Sequence, residues 1–338
     1  MYEDRTSAVR VLSVAVPCLE QHTGAMETDT RATTFVTGAG GFIGSELVRV
    51  LVARHHRVYG LTDSLEAADR LRRTGGVPVM GHLLDPGPWQ DQAAADWIFH
   101  IPPHSADGPR VTRRRAADLT RARVRMDAHL LDAVAAVATR RIVYVADTSC
   151  YGATGPRSIT EDTPFQPSAW GRCLMPALER LDGYVAAGHP IVTAFPGQVY
   201  GNGGWFRERV IAPVMAGRRV LMFGKTGPWV SPIHVEDCAR ALVHLAERGE
   251  PTGRYFLVNH DPIRQDAFAR TFAALANRPL RVLRVPRVAT RLVAGPVLAD
   301  HLLADAVFSN IRLRGTGFRF LYPTLEQGLQ QVVGALDE

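Results

Sequence analysis

Thr37-Gly38-Ala39-Gly40-Gly41-Phe42-Ile43-Gly44 stands between an apolar run, Thr33 to Val36, and a run with helical spacing, Phe42 to Arg54. Glycines at 38, 41 and 44 permit a sharp turn, let a pyrophosphate approach the amides at a helix N-terminus, and let helix and strand pack closely. Three glycines alone are a weak signal, because an ordinary tight turn capping a buried strand contains them too. Here Asp63 follows Gly44 by 19 residues, at the end of a second apolar run, Val58 to Leu61, where a carboxylate would meet a ribose diol. Strand, glycine turn, helix, strand and acid in that order read as a dinucleotide-binding unit.

Composition bounds the rest. At 338 residues and 46% hydrophobic, the chain can bury a large core. The apolar stretch near the N-terminus, Val11 to Leu19, is broken by Ser13, Pro17 and Cys18 and falls well short of the ~20 residues of a membrane span. Met1 to Arg10 carries both acids and arginines and no small-residue cleavage site follows, so a secretory signal is a poor reading and a cytoplasmic protein without membrane partners is expected. The net charge of +6 rests on 38 arginines and one lysine, Lys225, a skew that looks like coding bias. The densest basic stretch, Arg113 to Arg115 and Arg121 to Arg125, shares a helical pattern with Leu119, Met126, Leu130 and Val134. It reads as a solvated helix face rather than a nucleic-acid surface. Cys18, Cys150, Cys173 and Cys238 are widely spaced and lack a metal-binding pattern, so reduced thiols and no metal are expected.

After the glycine turn, Arg57 to Leu61, Pro78 to Leu83, Trp97 to Ile101 and Arg141 to Ala146 read as strands two to five, the last an apolar run of the kind buried in a parallel sheet. A helix is expected over Val111 to Val137. This alternation predicts an α/β fold, a Rossmann-like doubly wound parallel sheet with a smaller C-terminal substrate-binding lobe and ligands at the carboxyl ends of the strands. Residues 1–31 read as a leader or tail, with Met26 a plausible start just ahead of the first strand.

Further landmarks make a resemblance specific. Phe99-His100-Ile101-Pro102-Pro103, the stretch Tyr144 to Gly152, Thr160-Glu161-Asp162-Thr163-Pro164, Phe195 to Gly201, Val230 to Ala239 and Gly317 to Gly328 follow one another in order. Over roughly residues 33 to 330 the chain resembles an extended short-chain dehydrogenase/reductase of the NAD-dependent epimerase/dehydratase family, which includes 3β-hydroxysteroid dehydrogenase relatives. The resemblance implies a Rossmann domain formed by 32–200 with 230–262 and a substrate lobe formed by 201–229 with 263–338. It implies NAD, with NADP as the alternative, lying against Gly38, Gly41, Phe42, Ile43, Gly44, Asp63, Leu84 and Asp85. It also implies a small-molecule substrate, often a nucleotide sugar or other hydroxylated molecule, and is compatible with a homodimer.

The family's reaction chemistry is altered. Trp170-Gly171-Arg172-Cys173-Leu174 occupies the segment where the family has a tyrosine acid/base four residues before a lysine. Indole is a donor only and leucine neither tunes a phenol nor holds a ribose, so both roles are vacant. Asp147 stands where the catalytic Ser or Thr belongs, His82 replaces an adenine-contacting Asp, and Phe195 replaces an Arg. An imidazole held by a carboxylate is a competent base, which makes Asp147 with His104, together with Thr148 and Tyr151, the catalytic candidates. Tyr200 and Cys173 are weaker ones. Three functional readings remain: an oxidoreductase or epimerase with a substitute acid/base, a non-redox isomerase, cyclase or lyase, and a non-catalytic cofactor sensor.

Overall fold

Thr33 to Thr37 forms a strand because its β-branched and aromatic side chains alternate between two buried faces: Phe35 enters one apolar cluster and Val36 the other. The same split recurs at Ile98 and Phe99 and at Ile142 and Val143. A sheet covered on both faces follows. The computed structural model describes residues 31–102, 111–224, 227–250 and 252–337.

Within them, β1 (Thr33–Thr37), α1 (Phe42–Ala53), β2 (Arg57–Thr62), α2 (Leu65–Arg73), β3 (Val77–Met80), β4 (Trp97–His100), α3 (Arg113–Val134), β5 (Arg141–Val145), α4 (Met175–Ala186) and β6 (Ile191–Pro196) alternate as expected. Then come β7 (Gln198–Tyr200), the short helices α5 (Gly204–Phe206) and α6 (Ala212–Met215) around a π-turn, β8 (Arg219–Phe223), β9 (Trp229–Val230), β10 (Pro232–His234) and α7 (Val235–Arg248). The chain ends with β11 (Gly253–Leu257), β12 (Ile263–Arg264), α8 (Asp266–Leu275), β13 (Arg281–Val285), α9 (Arg287–Leu302), α10 (Ile311–Gly315) and α11 (Leu325–Asp337).

The main sheet has seven strands in the order β11-β6-β5-β4-β1-β2-β3, every neighbouring pair parallel. That is the Rossmann-like doubly wound arrangement, its order reversing between β1 and β4. On one face α1 and α7 pack through Leu47, Leu51, Leu242 and Leu245; on the other, α3 and α4 pack through Leu130, Leu131, Leu178 and Leu181. A third apolar cluster joins Tyr200, Phe206 and Val210 to Phe268, Phe272, Leu329 and Val332, so the segment after β7 and the C-terminal portion share a core. The end of the chain is stapled to α7: the Asp237 carboxylate accepts the backbone N–H groups of Leu321 (2.7 Å) and Tyr322 (2.8 Å) and pairs with Arg240 (2.9 Å).

Two expectations need adjusting. Strand three ends at Met80, not Leu83, because the Trp89 ring packs against Gly81, where a Cβ would lie 2.5 Å from the indole, and the chain turns away there. The helix over Val111 to Val137 is shorter, starting at Arg113 behind the N-cap Thr112, whose side chain accepts the Arg115 N–H. The leader, Met26, Cys18, Lys225 and His104 lie outside the described residues. Cys150, Cys173 and Cys238 are buried free thiols.

Candidate active site

The glycine turn follows directly on β1. Gly38 has φ +67°, a conformation that favours glycine, and a Cβ there would lie 2.2 Å from the Ile101 carbonyl oxygen. Its carbonyl accepts the Gly41 N–H at 2.9 Å, closing the turn. Gly41 is the N-cap of α1, with no side-chain cap and no acid in the first turn, so the positive end of the helix is left for an anion. A Cβ on Gly44 would lie 2.0 Å from the Gly38 carbonyl oxygen, which is the close helix-to-strand approach the spacing implies. The Phe42 ring lies under the loop that follows β7: Cβ atoms on Gly201, Gly203 and Gly204 would come within 3.3, 2.7 and 2.9 Å of it. Ile43 packs against the α1 side of the core.

Asp63 follows β2 with its side chain 64% exposed and 3.9 Å from His82 Nε2. His82 Nδ1 accepts the Leu84 N–H at 3.1 Å and lies 3.8 Å from the Asp85 carboxylate. The residues expected to hold the adenosine end therefore gather at the carboxyl ends of β2 and β3. Thr62, the other side chain near that position, is buried and donates its hydroxyl to the Ser64 carbonyl (3.4 Å), which leaves Asp63 as the exposed polar group. A cradle without side chains at a helix N-terminus, followed by an exposed carboxylate, fits a dinucleotide.

At the end of β5 two of the residues singled out in the sequence meet. Asp147 caps a 3₁₀ turn, Thr148–Cys150; its Oδ1 accepts the Ser149 N–H at 2.7 Å, and its Oδ2 accepts the indole N–H of Trp170 at 3.3 Å. Trp170 is buried, as are Cys173 and Leu174 in the same apolar cluster. The two side chains are chemically matched, because a donor-only indole needs an acceptor and an ionised carboxylate is acceptor-only. Leu174 offers no polar group. Thr148 lies half-buried beside Asp147 in the turn.

Tyr151 stands apart from this pair. Its hydroxyl donates to the Glu161 carbonyl oxygen (3.2 Å), its ring sits among Phe165, Phe195, Phe256 and Phe308, and burial pushes its pKa up. Phe195 is part of that aromatic box. Burial also raises Tyr200 and the Cys173 thiol, which donates to the Ala169 carbonyl at 3.5 Å. Among the described residues no three His, Cys, Asp or Glu side chains group to hold a metal.

Sequence reasoning missed a buried polar chain beneath the site. His100 Nδ1 lies 2.8 Å from Thr37 Oγ1 and His100 Nε2 lies 2.8 Å from Asp127 Oδ1. Asp127 Oδ2 accepts the Tyr144 hydroxyl (2.6 Å), and Arg123 donates to that hydroxyl (2.7 Å) and to the Val145 carbonyl (3.1 Å). Burial holds His100 below its usual pKa; it would raise Asp127, but Arg123 and His100 keep the carboxyl low. The chain links the start of the glycine turn to the end of β5. The solvated basic face expected of this helix therefore fails at Arg123, which is 4% exposed. Its one sequence signal was Asp127 four residues on, a spacing that puts both on one helix face.

A family model described as the NAD dependent epimerase/dehydratase family matches residues 34–258. The chain belongs to that family. It is 28% identical over 316 residues to a 3-diazoavenalumate denitrifying reductase from a Streptomyces species, covering 87% of this chain and 98% of that protein. A shorter match, 57% identical over 51 residues, takes in 15% of this chain and 17% of an uncharacterised Schizosaccharomyces pombe protein. Among solved structures the fold is similar to a human epimerase family protein with NADPH, at TM-score 0.72 and 20% identity over 89% of this chain and 99% of that one. It is also similar to a dTDP-glucose 4,6-dehydratase from Streptomyces venezuelae with NAD, at TM-score 0.75 and 18% identity over 89% and 96%. Membership of this family implies NAD(P) binding, and the cradle at Gly38 to Gly44 has a form that fits such a cofactor. No helix among the described residues is long and apolar enough to cross a membrane.

Proposed function

We propose that this chain is an NAD(P)-dependent small-molecule enzyme, an oxidoreductase or epimerase in which the Asp147 carboxylate takes over proton transfer from the family's tyrosine. The observation that carries the reading is the Trp170 indole N–H donated to Asp147 at 3.3 Å, which ties together the two substituted positions. Held at the Gly38–Gly44 cradle, a nicotinamide cofactor would supply or accept the hydride. Asp147, ionised, accepts a proton from a substrate hydroxyl, or in the reverse sense returns one to a carbonyl oxygen. Trp170 exchanges no proton; it fixes one carboxylate oxygen while the Ser149 N–H fixes the other. In this reading the substrate lobe is the 201–229 and 263–338 portion, supported by the separate apolar cluster those segments share. His104 is retained as a candidate partner of Asp147.

A second reading, non-redox isomerisation or lysis, draws support from Leu174, which leaves nothing polar where the family's lysine stood. Incubation with 4-deuterated NADH and a panel of carbonyl compounds separates the two, since only the first transfers deuterium to product. In the first reading Asp147→Asn should lower kcat by about 10²-fold or more with cofactor affinity unchanged. Retained turnover in a folded Asp147→Asn protein would remove the assignment.

A further inference from the structure

Beside the Trp170 turn lies a cleft of about 320 Å3 whose walls include Ser168, Arg172, Arg287, Arg291, Asp300 and Leu303. A second cleft, also about 320 Å3, shares Arg172 and adds Arg113, Ala169, Pro296 and Val297. Arg113, Arg172, Arg287 and Arg291 form no ion pair with a described carboxylate, and the Arg172 guanidinium donates only to the Pro167 carbonyl oxygen, at 3.0 Å. Elsewhere other arginines at or near the surface are matched, Arg180 to Asp132, Arg254 to Asp182 and Arg312 to Asp162 among them. The one acid in the cleft wall, Asp300, accepts the Ala169 N–H at 2.8 Å. Three guanidiniums against one carboxylate leave a net positive cleft, with Leu303 as an apolar patch in its wall.

Helix α9 is what brings Arg287 and Arg291 there. Gly295, at φ +76°, and Pro296 kink it, so that its second half lies against the Trp170 turn: Asp300 holds Ala169, and the His301 ring is 6.3 Å from the Trp170 ring. An occupant of the cleft therefore sits against the segment that carries Trp170 and its bond to Asp147.

We infer that this cleft docks the acid group of the substrate, a carboxylate or phosphate carried on an apolar body. Guanidiniums bind such oxyanions through paired, charge-assisted hydrogen bonds, and the apolar wall accommodates an aryl or alkyl carrier. The assignment to the substrate rests on the acid/base reading of Asp147; the binding does not.

The test uses the full chain with NAD and three probes of similar shape: benzoate, phenyl phosphate and neutral benzamide. Titration calorimetry reads affinity, and 15N-labelled tryptophan spectra, assigned with Trp170→Phe, read the Trp170 indole. Binding by either anion, with a shifted Trp170 resonance and no benzamide binding, supports the proposal, and the stronger of the two identifies the acid group. Arg287→Gln with Arg291→Gln should weaken that binding about tenfold or more, at unchanged melting temperature and NAD affinity. Benzamide binding as tightly as benzoate, no binding of either anion, or an unaffected double variant would overturn it. Asp147→Asn should keep the anion affinity, so failure of the acid/base reading and failure of this one give different results.

Discussion

Trp170 and Asp147 are chemically coupled. Trp170 without an acceptor would present a buried indole N–H, and Asp147 without the indole would present a carboxylate with fewer donors; each supplies what the other needs, at 3.3 Å. The sequence showed both departures, but 23 residues separate them, and only the fold shows that they meet. His104, the partner expected for Asp147, lies outside the described residues. At the expected cofactor end the residue to test is Asp63. Its exposed carboxylate beyond β2 would accept hydrogen bonds from a ribose diol and repel a 2′-phosphate. NADH should bind roughly tenfold or more tightly than NADPH, and Asp63→Asn should narrow the gap. Calorimetry with both cofactors decides it: equal affinity, or tighter NADPH binding, excludes this role for Asp63.

At the scale of elements, the glycine turn sets how closely α1 approaches β1. Gly44→Ala would put a Cβ 2.0 Å from the Gly38 carbonyl oxygen and 3.0 Å from the Ala39 Cα, backbone atoms that cannot rotate aside. The helix must retreat, at a cost of about 1–3 kcal/mol, and NAD affinity should fall at least tenfold as the first-turn amides leave the pyrophosphate. Gly183→Ala in α4 is the control, since no atom lies within 4 Å of its added Cβ. It should leave NAD affinity unchanged and raise the melting temperature slightly, as alanine favours a helix interior. Equal NAD affinity in Gly44→Ala and the parent would refute the close-approach role. This turn, and the strands after it, were legible because each depends on a local pattern: buried runs for strands, glycine at fixed spacing for the turn. The early end of β3 was not, because Trp89, nine residues beyond Met80, decides it by packing on Gly81. Nor was the His100–Asp127–Tyr144 chain, whose members come from three separate elements and share no sequence signature.

Over the whole molecule, the histidines with shifted pKa values set the response to acid. His56, His100, His234 and His244 are all pushed down, each chiefly by burial, and His234 is lowered to about 4. A folded-state pKa below the unfolded value near 6.5 means that the stabilisation is fully present above pH 6.5. It is lost progressively as pH falls toward 4, because the unfolded chain takes up protons that the folded one refuses. Asp96 and Asp127 are shifted below 3.8 and give up their contribution only in stronger acid, while Glu161 and Asp237 are raised and offset part of the loss as they protonate. His234 has a structural reason to resist its proton. Its Nδ1 caps α7 by accepting the Glu236 N–H at 3.3 Å, and its ring is packed between Tyr200 and Tyr322. Protonation removes that acceptor and places a cation at the positive end of a 14-residue helix. From the shift to about 4, His234 alone should cost about 2 kcal/mol between pH 7 and pH 5. His234→Asn keeps an acceptor for the cap and removes the titration. Denaturant melts of both proteins at pH 7 and pH 5 should show the parent losing more stability than the variant, by about that amount; parallel losses would mean that His234 is not the acid-sensitive group.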